Sequence, residues 1–103
     1  MTDITLTNAA AKTAAFRNTH PNHVKGISAS KSELSSILNQ TNCVGIRFYF
    51  ALENPADSNS LNLVAVGIDS NDNDLTSGTM KNSGIACPPN CGQANTLNGN
   101  AGS

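Results

Sequence analysis

Apolar positions are concentrated between Cys43 and Ile68. Two runs there, C-V-G-I-R-F-Y-F-A-L (43–52) and L-N-L-V-A-V-G-I (61–68), flank the polar segment E-N-P-A-D-S-N-S. Both runs are rich in β-branched and aromatic residues and are bounded by turn formers, which predicts a central β-hairpin over 43–69. In the first run Val44, Ile46, Phe48 and Phe50 share one face, while Arg47 and Tyr49 share the other. In the second run Val64, Val66 and Ile68 point one way and Leu61, Leu63 and Ala65 the other. A strand apolar on both sides expects cover on both. Helices can cover one face, and the C-terminal segment or another subunit is left to cover the second.

Helical spacing precedes the hairpin. Ala9, Thr13 and Phe16 recur at i, i+4 and i+7, predicting a helix over about Asn8 to Asn18 with Thr7 as N-cap and a buried side of small residues. His20 precedes Pro21 and is driven from the helical region, so this helix ends by Thr19. A short extended piece is expected over 22–27. Ser30-Lys31-Ser32-Glu33 forms a capping box ahead of the stripe Leu34, Ile37 and Leu38, predicting a second helix that packs on a sheet. After the hairpin, D-L-T-S-G-T-M-K (74–81) reads as a weak third strand containing Leu75, Thr79 and Met80. The expected fold is α+β: two N-terminal helices packed on one face of a small antiparallel sheet of three or four strands. An irregular Cys/Pro segment and an Asn/Gly-rich C-terminal tail follow. Residues 1–91 are read as one domain and 92–103 as a low-complexity tail.

Composition narrows the function classes. Charged residues make up 13% of the 103 positions, about half of the ~25% usual in soluble proteins, and the net charge is −1. Copies of such a chain repel one another weakly. The six Lys and Arg residues are scattered, which argues against nucleic acid as a partner. No apolar run approaches the ~20 residues of a membrane span. The N-terminus has neither a basic nor an apolar signal region, so the expected location is cytoplasmic, with export by another route left open. Residues 92–103 carry no charged side chain and one large apolar residue, Leu97. A tail of this kind is mobile unless anchored. A neighbouring subunit is one surface that could hold it.

Two motifs invite chemistry. Asp69-Ser70-Asn71-Asp72-Asn73 matches the first three ligand positions of an EF-hand loop. Position six is Asp74 in place of Gly, and position twelve is Met80 in place of Glu. The segment therefore reads as a hairpin turn that uses the left-handed tolerance of Asn and Asp. Cys87-Pro88-Pro89-Asn90-Cys91 offers two sulfurs on a Pro-stiffened turn, able to close a disulfide or, with His20 and His23, to form a Cys2His2 zinc site. The third cysteine, Cys43, makes a fully paired framework impossible, and its pairing is left open. Arg47 and Tyr49 could hold an anion, although a polar sheet face is the commoner role of such a pair. No nucleophile motif, phosphate loop or acid–base pair is evident, and the chain reads as a non-enzyme.

The segments C-V-G-I-R-F-Y-F-A-L (43–52), L-N-L-V-A-V-G-I-D-S-N-D-N-D-L (61–75) and C-P-P-N-C-G (87–92) resemble a family of short uncharacterised bacterial proteins, chiefly of Bacteroidetes type. The resemblance spans roughly residues 24–92 and implies a strand pair, a turn and a terminal Cys-Pro segment. It implies no activity and carries no catalytic residue. His20, His23 and the Asn/Gly tail lie outside its pattern.

The two functions expected from the sequence differ in class. One is a structural protein that self-associates into a homo-oligomer or filament, its tail and second sheet face making the subunit contacts through Leu61, Leu63 and Leu97. The other is a small monomeric binding module with a zinc or redox-sensitive site at Cys87, Cys91, His20 and His23.

Overall fold

The computed structural model describes residues 1–99. Seven elements follow in order: α1 (Leu6–Thr19), β1 (Gly26–Ser28), α2 (Lys31–Leu38), β2 (Gly45–Leu52), β3 (Leu61–Ile68), β4 (Met80–Ser83) and β5 (Ile85–Cys87). The fold is α+β, with a three-stranded sheet in the order β2-β3-β4 and a two-stranded sheet of β1 and β5. The chain divides into two compact units: Ile27–Ile85, and Met1–Gly26 together with the residues from Ala86 onward. Among the described residues no helix is long and apolar enough to cross a membrane.

In the Ile27–Ile85 unit the alternation read from the sequence sets the register. β2 and β3 run antiparallel, with Leu52 opposite Leu61, Phe50 opposite Leu63, Phe48 opposite Ala65 and Arg47 opposite Val66. β4 joins the other side of β3, pairing Val66 with Met80 and Leu63 with Ser83. Directly opposed residues share a face. Ile46, Phe48, Phe50, Leu52, Leu61, Leu63 and Ala65 therefore lie on one side, and Arg47, Tyr49, Asn62, Val64 and Val66 on the other.

The capping box forms as expected: Ser30 Oγ accepts from the Glu33 amide, and the Glu33 carboxylate accepts from the Ser30 amide. It starts α2, which touches all three strands. Leu34 and Ile37 lie over Phe48, Leu63 and Ala65. Ile37 is 0% exposed and anchors this core, with Ala65 also buried, while Val66 is buried on the opposite face. Gln40 fixes the end of the helix. Its Nε2 donates to the Ile37 carbonyl (2.8 Å) and its Oε1 accepts from the Thr79 amide (2.7 Å). A Cβ at Gly78 would lie 2.1 Å from that Oε1, so glycine leaves room for the bridge.

In the other unit α1 begins earlier than the spacing predicts. Thr5, not Thr7, is the cap, its Oγ1 accepting from the Asn8 amide at 3.2 Å. It stops at Thr19, ahead of His20-Pro21. No α1 residue is buried. Ala9, Ala10, Thr13, Ala14 and Arg17 are half-buried, while Phe16 is exposed. A helix whose inner side is mostly alanine has little apolar area to bury, so propensity and capping supply most of its local support.

The C-terminal segment is held by this unit itself. The Leu97 carbonyl accepts from Thr13 Oγ1 and Arg17 Nη1, both at 2.9 Å, and the Asn98 carbonyl accepts from Lys25 Nζ at 2.5 Å. Asn95 and Asn98 exchange side chain–backbone bonds of 2.9 and 2.8 Å. The anchor that the sequence left to a neighbouring subunit is thus supplied by α1 and Lys25 for the residues up to Gly99. Residues 100–103 lie outside the described residues.

Candidate functional site

The two faces of the three-stranded sheet end up with different chemistry. On the Arg47 side, the guanidinium reaches the turn that follows β3. Arg47 Nη1 donates to Asp74 Oδ1 (2.6 Å) and Nη2 to Asp72 Oδ1 (2.8 Å), while the Tyr49 hydroxyl donates to Asp74 Oδ2. Asp69 organises the turn itself, its Oδ1 accepting from the amides of Asn71 (2.9 Å) and Asn73 (3.0 Å). Asp72 takes the left-handed conformation (φ 68°) expected of such a turn. An antiparallel bridge between Ile68 and Asp74 closes it.

The carboxylates of Asp72 and Asp74 therefore serve Arg47 and Tyr49. The hydrogen bond from Tyr49, then that from Arg47, holds the Asp74 carboxyl below its ordinary range. The same bond to Asp74 pushes the Tyr49 phenol up. Arg47 is likewise raised, chiefly by Asp74. On this face Val66 and Asn62 are buried, Asn62 donating from Nδ2 to Glu53 Oε2 at 2.8 Å.

On the α2 side the cover is partial. A helix of eight residues is about 12 Å long, whereas an eight-residue strand extends about 26 Å. α2 reaches Phe48, Leu63 and Ala65, and the hairpin runs on past it toward the 53–60 loop. Phe50 is 81% exposed, and Phe48 and Leu52 are exposed as well. Leu61 and Leu63, two of the three residues expected at subunit contacts, are half-buried on this same face, across from Leu52 and Phe50. The third, Leu97, lies in the other unit with an exposed side chain. The apolar surface left open is thus made mainly by β2. The pairing of Leu52 with Leu61 through the eight-residue loop was the signal that could have located it.

β2 is also an outer strand, because the sheet order is β2-β3-β4. Outer strands are usually blunted by charge, proline or a bulge. The single charged residue in G-I-R-F-Y-F-A-L is Arg47, and it is turned to the opposite face and paired.

The Met1–Gly26 unit holds the proposed metal ligands. His20 and His23 are brought together, their ring centroids 5.6 Å apart and edge-on, with Phe16 stacked on His20 at 4.5 Å. His23 Nδ1 lies 2.8 Å from the Val24 carbonyl, and His20 Nδ1 lies 2.9 Å from Thr19 Oγ1. Both imidazoles line a depression of ≈ 320 Å³ with Arg17, Asn22, Lys25 and Pro88.

Cys87 and Cys91 are joined by a disulfide, with Cα atoms 4.6 Å apart. Sulfurs in a disulfide are not thiolates and cannot ligate zinc. Among the described residues no group of three or more His, Cys, Asp or Glu side chains is placed to hold a metal ion. Cys43 is a half-buried thiol whose Sγ donates to the Gly45 carbonyl at 3.2 Å.

The roles of Arg17 and Lys25 as tethers of the C-terminal segment were not read from the sequence. Their partners are backbone carbonyls 80 and 73 residues away, and carbonyls leave no residue-type signature. Comparison with known proteins found no matching family model, no similar curated protein and no similar solved structure.

Proposed function

We propose that the chain is a non-enzymatic structural protein that self-associates into a homo-oligomer or filament, with the outer edge of β2 and its apolar face as the subunit contact. The observation that carries this reading is Phe50, 81% exposed in the middle of a long outer strand whose only charge is engaged elsewhere. Such an edge presents unpaired backbone donors and acceptors beside a continuous apolar surface. A second copy is the occupant that fits. Two β2 strands related by a two-fold axis would pair antiparallel and set Phe48, Phe50 and Leu52 of both copies side by side. A net charge of −1 opposes this weakly. Leu61 and Leu63 extend the same face, and Leu97 adds a separate apolar contact on the other unit.

Native mass spectrometry with sedimentation velocity tests the reading. The expected result is a mass at a multiple of 10.6 kDa, falling to the single chain in Phe50→Lys. Leu52→Lys should act in the same direction, and circular dichroism should show both variants folded. A monomeric wild type, or an assembly untouched by either variant, overturns it.

A second reading is favoured by the disulfide: a small monomeric binding module in which Cys87 and Cys91 form a redox-sensitive pair. Zinc would then require the reduced pair, with His20 and His23 as the remaining ligands. One zinc per chain, found only under reduction and lost in Cys87→Ser, is its expected outcome.

A further inference from the structure

Charge is divided unevenly between the two units. Ile27–Ile85 contains three Lys or Arg residues against six Asp or Glu, whereas the rest of the chain contains Lys12, Arg17 and Lys25 against Asp3 alone. Two of those three cations, with both histidines of the protein, line the ≈ 320 Å³ depression, and no carboxylate side chain among the described residues lines it. In Ile27–Ile85, Arg47 is ion-paired with Asp72 and Asp74. Arg17 and Lys25 instead donate to the Leu97 and Asn98 carbonyls, which fixes their positions without neutralising them. A guanidinium offers five N–H donors and an ammonium three, so each keeps donors beyond its tether.

We infer that this depression is a binding site for a phosphoryl group. The planar fork of Arg17 suits an oxyanion with several equivalent oxygens, Lys25 supplies a point charge, and the His20 and His23 rings complete the wall. The tethers to Leu97 and Asn98 set both cations before any ligand arrives, which lowers the ordering cost of binding. The volume lies at the small end of ligand pockets, so the site fits inorganic phosphate or the head of a phosphomonoester better than a nucleotide. The inference is independent of self-association.

Isothermal titration of the intact protein, with the histidine ring resonances followed in parallel, tests it using inorganic phosphate, phenyl phosphate and chloride. Saturable binding of one phosphate per chain, with shifts at His20 and His23 that chloride does not reproduce, is expected. Arg17→Lys keeps the charge and a donor for Leu97 but removes the fork, and should weaken phosphate about tenfold, which is the loss of about 1.4 kcal/mol. His20→Gln leaves both tethers in place and should weaken it several-fold. Phenyl phosphate binding as tightly as phosphate places the group on a larger molecule, and tighter binding of inorganic phosphate makes the free ion the ligand. No saturation by about 10 mM phosphate overturns the inference. So does equal response to chloride, or affinity unchanged in both variants.

Discussion

Ile27–Ile85 closes around Ile37, Ala65 and Val66, three of the four buried hydrophobic residues in the described chain. The other unit has only Val24. It compensates with polar tethers to Leu97 and Asn98 and with the Cys87–Cys91 bridge. Residue supply explains the difference. One segment carries the β-branched and aromatic runs, and the other an Ala-rich helix and an Asn/Gly-rich end that cannot bury much area. Burial gives cooperative, non-directional stability, whereas tethers and a bridge give local order that fails when one link is cut. The same division leaves the first unit with an apolar surface to dispose of and the second with uncompensated cations.

The strongest way to break this comparison is Ile37→Ala. Truncating a residue at 0% exposure should cost on the order of 3 kcal/mol. Hydrogen exchange should show protection lost across α2 and β2–β4 while the α1 amides stay protected. Loss of α1 protection to the same degree would mean that the two units unfold as one.

Cutting the bridge is the reciprocal test. Cys87→Ser releases a loop closed by cysteines four positions apart, and the chain-entropy estimate for so short a loop is about 2 kcal/mol. The expected loss of protection lies in the 86–99 segment and spreads to Lys25, whose amide donates to the Cys87 carbonyl at 2.8 Å. A variant that exchanges like the wild type would show the tethers to be sufficient without the bridge.

The sequence made the first unit far more legible than the second, for the same physical reason. Alternation in 43–52 and 61–68, the capping box at Ser30 and the Asn/Asp turn at 69–74 are local signals, and each led to the observed element. What local signals could not say is how far α2 reaches, since that depends on helix length against strand length. The exposure of Phe50 was therefore missed. In the second unit α1 was found within two residues at its start, but its inner side of alanines does not say what it holds. Its main partner is a backbone carbonyl at Leu97, which no pattern of side chains encodes. The Arg47–Asp74 pair is an intermediate case. Arg47 and Tyr49 were read as sharing a face and Asp72 and Asp74 as a turn, but joining them requires the fold.

The smallest effect expected is one of pH, and it too separates the units. Asp74 is held below the ordinary carboxylate range, first by Tyr49 and then by Arg47, and Glu33 is held low by Ser30. A carboxyl lowered in the folded state stabilises fully above its unfolded pKa of about 4. That contribution is lost as pH falls through the folded value. The Tyr49 phenol is raised, chiefly by Asp74, so its contribution is full below the unfolded value of about 10 and lost as pH rises through the folded one. All three groups are in Ile27–Ile85, whereas Asp3 is the only acidic side chain of the other unit. Acid should therefore loosen β2–β4 before α1, by a modest amount because these groups are solvated. Tyr49→Phe should remove the alkaline loss altogether and shrink the acid one, since Arg47 still holds Asp74. Thermal melts from about pH 2 to 11 read both limbs, and an alkaline loss that persists in Tyr49→Phe would place its origin outside this network.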